Sequence, residues 1–331
     1  MARTIKGEII TQYLEIYPKL PALTLAKKIY AENPEPFKDV ENVRSIIRTY
    51  LGQKGNKDRS VVKDKRFFRQ SGLENPYMLP DTCNDKWEPY KIEGNKILLI
   101  SDIHIPYHDN IALTSMLNHT TGKDINTILL NGDIIDFYAA SRFMKDPRKR
   151  SINDEIWDVV EFINILQETF KGAKIVYKSG NHEERLENYL KIKAPELLDM
   201  EEFRLENILK IRGIQGVTYV EKQLIYAGRL PILHGHEYGG YGVGGVNPAR
   251  GLSLKSFSSS LVCHSHRTSS HAERDINDKV MSWFSVGCLC GLHPEYARLN
   301  KWNHGFAYIT TDGQEFEVRN YKIHKGKVYA E

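Results

Sequence analysis

Apolar residues recur along this chain with two different periods. Over residues 5–16, Ile9, Ile10, Tyr13, Leu14 and Ile16 fall at helical spacing, and over 22–32 Leu23, Leu25, Ala26 and Ile29 do the same, with Pro18 and Pro21 between the two runs. A third helix is predicted from Asp39, whose carboxylate suits an N-cap, through Val40, Val43, Ile46, Ile47 and Tyr50 on one face to a stop at Gly52. Residues 52–66 are polar, charged and glycine-containing, which reads as a linker, and 67–95 read as irregular, with prolines at 76, 80 and 89. From residue 96 the pattern becomes strand, polar loop, helix, repeated. Lys96–Ser101, Thr127–Asn131, Lys174–Ser179, Pro231–His234 and Ser260–His264 are apolar runs of strand length. An amphipathic helix over about 153–170 presents Ile156, Val159, Val160, Ile163 and Leu166 on one face. An α/β domain behind a small all-helical one is the architecture this predicts.

Composition agrees with a folded chain of two unequal domains: 331 residues, 41% hydrophobic and 27% charged, which excludes disorder. The expected domains are 1–52 (basic, three helices), 53–95 (charged linker and irregular lead-in) and 96–331 (catalytic). The N-terminus lacks the apolar run of a signal peptide, and no apolar stretch is long enough to span a membrane. Cysteines at 83, 263, 288 and 290 are too few and too irregular for a disulfide framework, so a reducing compartment, the cytoplasm, is expected. The net charge of +4 hides an asymmetry, because residues 1–70 hold 15 Lys and Arg against 8 Asp and Glu. Such a surplus suits a polyanion. The three helices, with Arg44 and Arg48 on the last, resemble helix-turn-helix DNA-binding modules, which implies a last helix able to enter a major groove. The Asn33–Lys38 connection is longer than the tight turn of that motif, and a solvated basic appendage or an oligomerisation piece is the plainer alternative.

The chemistry lies just past the apolar runs. They lead into Asp102-Ile-His104, Gly132-Asp133-Ile-Ile-Asp136, Gly180-Asn181-His182-Glu183, His234-Gly-His236 and Cys263-His264-Ser-His266. Ligands of open α/β sheets bind beyond the carboxyl ends of the strands, so five strand ends are expected to converge. Carboxylates, an amide and neutral imidazoles make a hard-to-borderline donor set suited to Mn²⁺, Fe or Zn²⁺. Seven donors exceed one ion; two divalent ions sharing a carboxylate use them all, the standard arrangement for in-line phosphoryl displacement.

The five motifs, in this order, resemble those of the calcineurin-like metallophosphoesterase superfamily over about 96–310. The resemblance implies a four-layer α/β/β/α sandwich. It implies that Asp102, His104 and His266 hold one metal, that Asn181, His234 and His264 hold the other, and that Asp133 bridges them. His182 would face the phosphate and stabilise the transition state or protonate the leaving oxygen, Asp136 would orient that imidazole, and a metal-bridging hydroxide would be the nucleophile. Cys263 stands where the family usually has glycine, and is read as a buried small side chain.

Other residues carry two readings. His108 and Asp109 would line the cleft, or Asp109 would cap a helix. His236 rivals His234 as ligand. The glycine-rich loop 238–248 would close over a phosphate or simply be a surface loop. Arg142, Arg185, Arg250 and Arg267 lie near motif ends, and Arg142, Arg267 and His108 are taken as substrate contacts. Cys288 and Cys290 belong to an apolar run, 283–292, read as a core strand, and His304 is read as structural. The expected function is a phosphoesterase with Mn²⁺ foremost among its metals, hydrolysing a nucleic-acid phosphodiester held partly through residues 1–70. A phosphomonoesterase acting on phosphoprotein or nucleotide, and a non-enzymatic nucleic-acid binder with a vestigial metal site, are the alternatives.

Overall fold

The structure, a computed structural model, describes residues 5–18, 20–51 and 87–330 apart from 147, 150 and 240–242; the linker expected at 52–66 lies outside the described residues. The chain divides into two compact units, Met1–Asp85 and Lys86–Glu331.

In the first unit the apolar period produces three helices, α1 (Ile5–Ile16), α2 (Ala22–Glu32) and α3 (Val40–Tyr50). Their core is Ile10, Leu14, Leu25, Ala26, Ile29, Phe37, Val43 and Ile47. Phe37 belongs to the connection between α2 and α3, so the long loop is anchored by burying its aromatic ring. Asp39 caps α3 by accepting the Asn42 N–H at 2.6 Å, which satisfies a donor the helix cannot use internally.

In the second unit the elements run β1 (Tyr90–Lys91), β2 (Lys96–Ile100), α4 (Asn110–Thr120), β3 (Thr127–Asn131), α5 (Ile152–Thr169), β4 (Lys174–Lys178), α6 (Glu184–Lys193), α7 (Leu205–Ile211) and β5 (Val217–Val220). They continue with β6 (Ile225–Ala227), β7 (Leu230–Leu233), α8 (Pro248–Ser256), β8 (Ser260–Val262), β9 (Ser269–Arg274), β10 (Val280–Ser285), β11 (His304–Thr311), β12 (Phe316–His324) and β13 (Lys327–Ala330). One sheet has the order β13-β12-β11-β2-β3-β4-β5 and the other β1-β6-β7-β8-β10-β9. Strands β2 to β5 are parallel neighbours, as are β7, β8 and β10.

Side chains alternate along β2, and both faces are buried. Ile97 and Leu99 enter the core between the sheets, with Leu129, Val176, Ile232 and Leu261. Leu98 and Ile100 face the other way, into a core shared with Met116 of α4 and with Val159, Ile163 and Leu166 of α5. Burial on both faces explains why these strands read as unbroken apolar runs. Ala249 and Leu252 of α8 pack with Val262 and Trp283 on the far side of the second sheet. The layers are therefore α/β/β/α.

The strands stop short of the residues expected to bind metal. β2 ends at Ile100, β4 at Lys178 and β8 at Val262, rather than at residues 101, 179 and 264. The backbone beyond them explains the early ends of β2 and β8: Asp102 and His264 have φ of 52° and 65°, a left-handed conformation that no strand continues through. The apolar run 283–292 is strand only as far as Ser285; after it Cys288 and Cys290 form single bridges to His304 and His108. Of the stretch expected to be irregular, the described part includes β1, an edge strand pairing parallel with β6.

Candidate metal centre

The strand ends bring all seven expected ligands together. His266 Nε2 lies 3.1 Å from Asp102 Oδ1 and 3.3 Å from His104 Nε2. His234 Nε2 lies 3.3 Å from Asn181 Oδ1, and the rings of His234 and His264 are 5.1 Å apart. Asp133 sits where the two sets meet, with Oδ2 3.8 Å from His104 Nε2 and 3.4 Å from His234 Nε2. Asp102, Asp133, His234 and His264 each offer one atom within 4.8 Å of the others, as do His104, His266 and Cys290.

Backbone conformation aims these groups. Asp102, His104, Asp133, His264 and His266 all have φ between 52° and 65°. Non-glycine residues adopt that region at a cost of about 1–3 kcal/mol each, and they cluster where a site demands it. Gly132 and Gly180 let the ends of β3 and β4 approach: a Cβ on Gly132 would meet His234 Nδ1 at 2.6 Å and the Gly180 Cα at 2.8 Å.

The donor set fits divalent cations on its own chemistry. His264 Nδ1 is buried and makes no hydrogen bond, and Asp102 Oδ1 meets only the His266 ring nitrogen, at 3.1 Å. A buried polar atom without a hydrogen bond, set among carboxylates and imidazoles, suits a divalent cation. His234 donates from Nδ1 to the Asn131 carbonyl at 2.8 Å, which leaves Nε2 free to ligate. Burial opposes charge on His234 and His266, but Asp133 beside the first and Asp102 beside the second raise both to about 10, so a cation binding there would displace a proton from each ring. Burial likewise opposes ionisation of Asp102 and Asp133, yet His266 lowers the first, and His182 and His234 the second. His264, buried beside His234, is pushed down to about 4.

His182 and Asp136 lie against this cluster. Asp136 Oδ1 is 3.3 Å from His104 Nδ1 and 3.0 Å from His182 Nδ1, and the His182 N–H donates to Asp133 Oδ1 at 2.9 Å. Arg185 completes the group: Nη1 donates to the Asp136 carbonyl at 2.7 Å and Nη2 lies 2.8 Å from His182 Nε2. Arg142, taken from the sequence as a substrate contact, is exposed and stacks over the Phe143 ring at 5.4 Å. Arg267 is engaged by the carbonyls of Gly245 and Val246 in the glycine-rich loop. His108 is half-buried, with Nδ1 unpartnered, and Asp109 caps α4 through Ala112 N. His236 pairs with Glu184 at 3.3 Å, and His304 Nε2 lies 2.9 Å from the Cys290 carbonyl. Cys263 is buried against Asn131, and desolvation pushes its thiol far up.

Two carboxylates that sequence reasoning gave no role, buried Glu183 and the partly exposed Glu237, hold the ligand turns. Glu183 accepts from the N–H groups of Gly180, Asp133 and Ile134 at 2.7–2.9 Å and from the Tyr177 hydroxyl, tying the end of β3 to the end of β4. Glu237 accepts from the N–H groups of His234 and Gly235 and pairs with fully buried Lys178 at 3.1 Å. Desolvation raises Glu237, but Lys178, the Gly235 N–H and the imidazoles of His234 and His236 together hold it down at about 2. The Glu of the GNHE motif was visible in the sequence; nothing local marked Lys178 or Glu237.

The fold and the donor set define a metallophosphoesterase. The calcineurin-like phosphoesterase family model matches residues 95–301, and the chain belongs to that family. Gene 54 protein of Mycobacterium phage L5 is 27% identical over 234 residues, which cover 67% of this chain and 91% of that protein. Among solved structures, Vps29 of Cryptosporidium parvum aligns at 16% identity and a TM-score of 0.39, covering 72% of this chain and 96% of that one. Zinc-complexed Vps29 of Entamoeba histolytica aligns at 13% and 0.37, covering 71% and 97%. Among the described residues no helix is long and apolar enough to cross a membrane.

Proposed function

We propose that this chain is an active phosphoesterase that hydrolyses a nucleic-acid phosphodiester with two divalent ions, Mn²⁺ foremost. The observation that carries the proposal is the position of Asp133 Oδ2 between His104 and His234, at the junction of two donor sets. Asp102, His104 and His266 would hold one ion and Asn181, His234 and His264 the other, with Asp133 shared. Bound there, the ions would supply positive charge for the phosphoryl oxygens and Lewis acidity toward water.

The chain's own groups do the rest. Asp136 fixes the ring of His182 through Nδ1, which leaves Nε2 beside Arg185 Nη2 on the side where substrate would enter. As water adds to phosphorus and the bond to the leaving oxygen breaks, His182 stabilises the developing charge or delivers a proton to that oxygen. Arg185 is anchored to Asp136 with Nη2 beside His182, so a phosphoryl oxygen, a stronger acceptor than imidazole, would draw that guanidinium onto itself. Arg142, Arg267 and His108 would contact substrate further out.

Charge supports the nucleic-acid reading. Residues 5–51 hold seven Lys and Arg against six Asp and Glu, whereas 52–70 hold seven against two, so the surplus resides beside the helical module rather than on it. Arg44 of α3 is paired with Glu41 at 3.1 Å. Phosphate attraction through residues 52–70 therefore weighs more in the proposal than groove reading by α3. The free thiols of Cys263, Cys288 and Cys290 support a reducing, cytoplasmic setting.

The test is a panel of p-nitrophenyl mono- and diesters with Mn²⁺, together with metal analysis. His182→Ala is expected to keep its metal and lose turnover by about a hundredfold or more; Asp133→Asn is expected to lose both. Equal metal loss in the two variants would remove His182 from the catalytic role. A wild type faster on the monoester would replace the diester reading.

A further inference from the structure

Beyond the metal ligands, aromatic and basic side chains form two groups, one past His266 and one past His104. The Trp302 ring lies edge-on to the ligand His266, with centroids 4.2 Å apart, and Tyr296 lies 6.2 Å from Trp302. On the side of His104, Tyr107 approaches Tyr138 at 6.4 Å, and Lys149 Nζ stands 5.7 Å over the Tyr107 ring. Arg148, on the same loop as Lys149, forks onto Asp146, with Nε at 2.9 Å and Nη2 at 2.7 Å from its carboxylate, and 88% of its side chain is exposed.

These loops expose much apolar surface. Tyr296 is 78% exposed, Leu299 98%, Phe143 65% and Met144 96%. Burying a side chain of this size is worth about 1.5–3 kcal/mol, so loops that leave several of them open have apolar surface to offer a ligand. Flat rings interleaved with cations suit bases and phosphates: stacking needs only a π-face, and Lys or Arg follows the backbone.

We propose that Tyr296, backed by Trp302, is a stacking platform for a base of the scissile nucleotide, with Arg148 and Lys149 flanking the phosphate chain, so that the substrate is a single-stranded nucleic acid. In a duplex the base faces are already stacked on one another, which excludes them from this surface. The inference deepens the phosphodiesterase reading and rests on it.

The experiment compares kcat/KM with Mn²⁺ for thymidine 5′-(p-nitrophenyl phosphate) and for methyl p-nitrophenyl phosphate, a diester without a base. In Tyr296→Ala the ratio of the two values is expected to fall about 5- to 100-fold, the equivalent of one lost stack. Tyr296→Phe, which keeps the ring, is expected to retain the wild-type ratio. An unchanged ratio in Tyr296→Ala would overturn the platform, as would wild-type preference for a phosphopeptide over the thymidine ester. If the metal-loaded wild type hydrolyses neither ester, the phosphoesterase reading fails by itself. Quenching of tryptophan fluorescence by oligodeoxythymidylate, lost in Tyr296→Ala, would then still support the platform, and no quenching would overturn it.

Discussion

The helical unit and the strand-end cluster are built on opposite local rules. Among the described residues of the helical unit none has a positive φ, and eight apolar side chains with one capped helix start account for its packing. In the cluster, five of the seven expected ligands are left-handed non-glycine residues, and carboxylates and imidazoles are buried within a few ångströms of one another. Propensity, pattern and capping agree in the first region; in the second they are overridden, and the surrounding fold must hold what the local chain resists. Constraint in this protein is concentrated where chemistry is expected.

Three substitutions sharpen that contrast. Ile47→Ala removes a fully buried side chain from the helical core and should cost about 2–4 kcal/mol in urea unfolding of that unit. Turnover of a small phosphoester should stay at the wild-type level, and a parallel loss of turnover would show that the regions are energetically coupled. Lys178→Met removes the buried cation that pairs with Glu237, whose side chain still reaches solvent, and about 1–3 kcal/mol of stability should be lost. A drop in the Tm of the phosphoesterase unit checks it, and an unmoved Tm would mean that the His234 turn needs no such support.

The third substitution concerns Glu155. Its carboxyl is fully buried, one oxygen accepts from Tyr138 N and the other has no partner. Burial, then the charge of Asp136, raises it from 4.5 to about 8. A raised carboxyl favours the folded state below pH 4.5, and that contribution disappears as pH climbs through 8. Glu155→Gln should therefore gain on the wild type between pH 5 and pH 9, by on the order of 1–3 kcal/mol, read from Tm at the two pH values. A constant difference would mean that the carboxyl is already ionised at the lower pH.

Much of this was legible before any coordinates. Helical period and Asp39 located the three helices, and each ligand motif announced itself as polar, metal-binding residue types directly after an apolar run. The division of the strands between two sheets was not legible from periodicity, because a strand buried on both faces reads the same in either; only the family resemblance supplied it. Lys178 lies inside an otherwise apolar strand, and its burial makes sense only with Glu237, 59 positions away and marked by no motif. Arg185 was one arginine among four near motif ends; its contact with Asp136 and His182 depends on how α6 leaves the GNHE turn. The exposed ring of Tyr296 had no signature at all.

The two-residue strand β1 has a practical consequence. Tyr90 N–H bonds to the Leu224 carbonyl and Ile92 N–H to the Tyr226 carbonyl, so this short piece closes one border of the smaller sheet while Ile92 joins the core between the sheets. A fragment of the phosphoesterase-family unit begun at residue 96 would leave those carbonyls bare and invite intermolecular strand pairing. Begun at residue 87, the same fragment keeps its own border sealed.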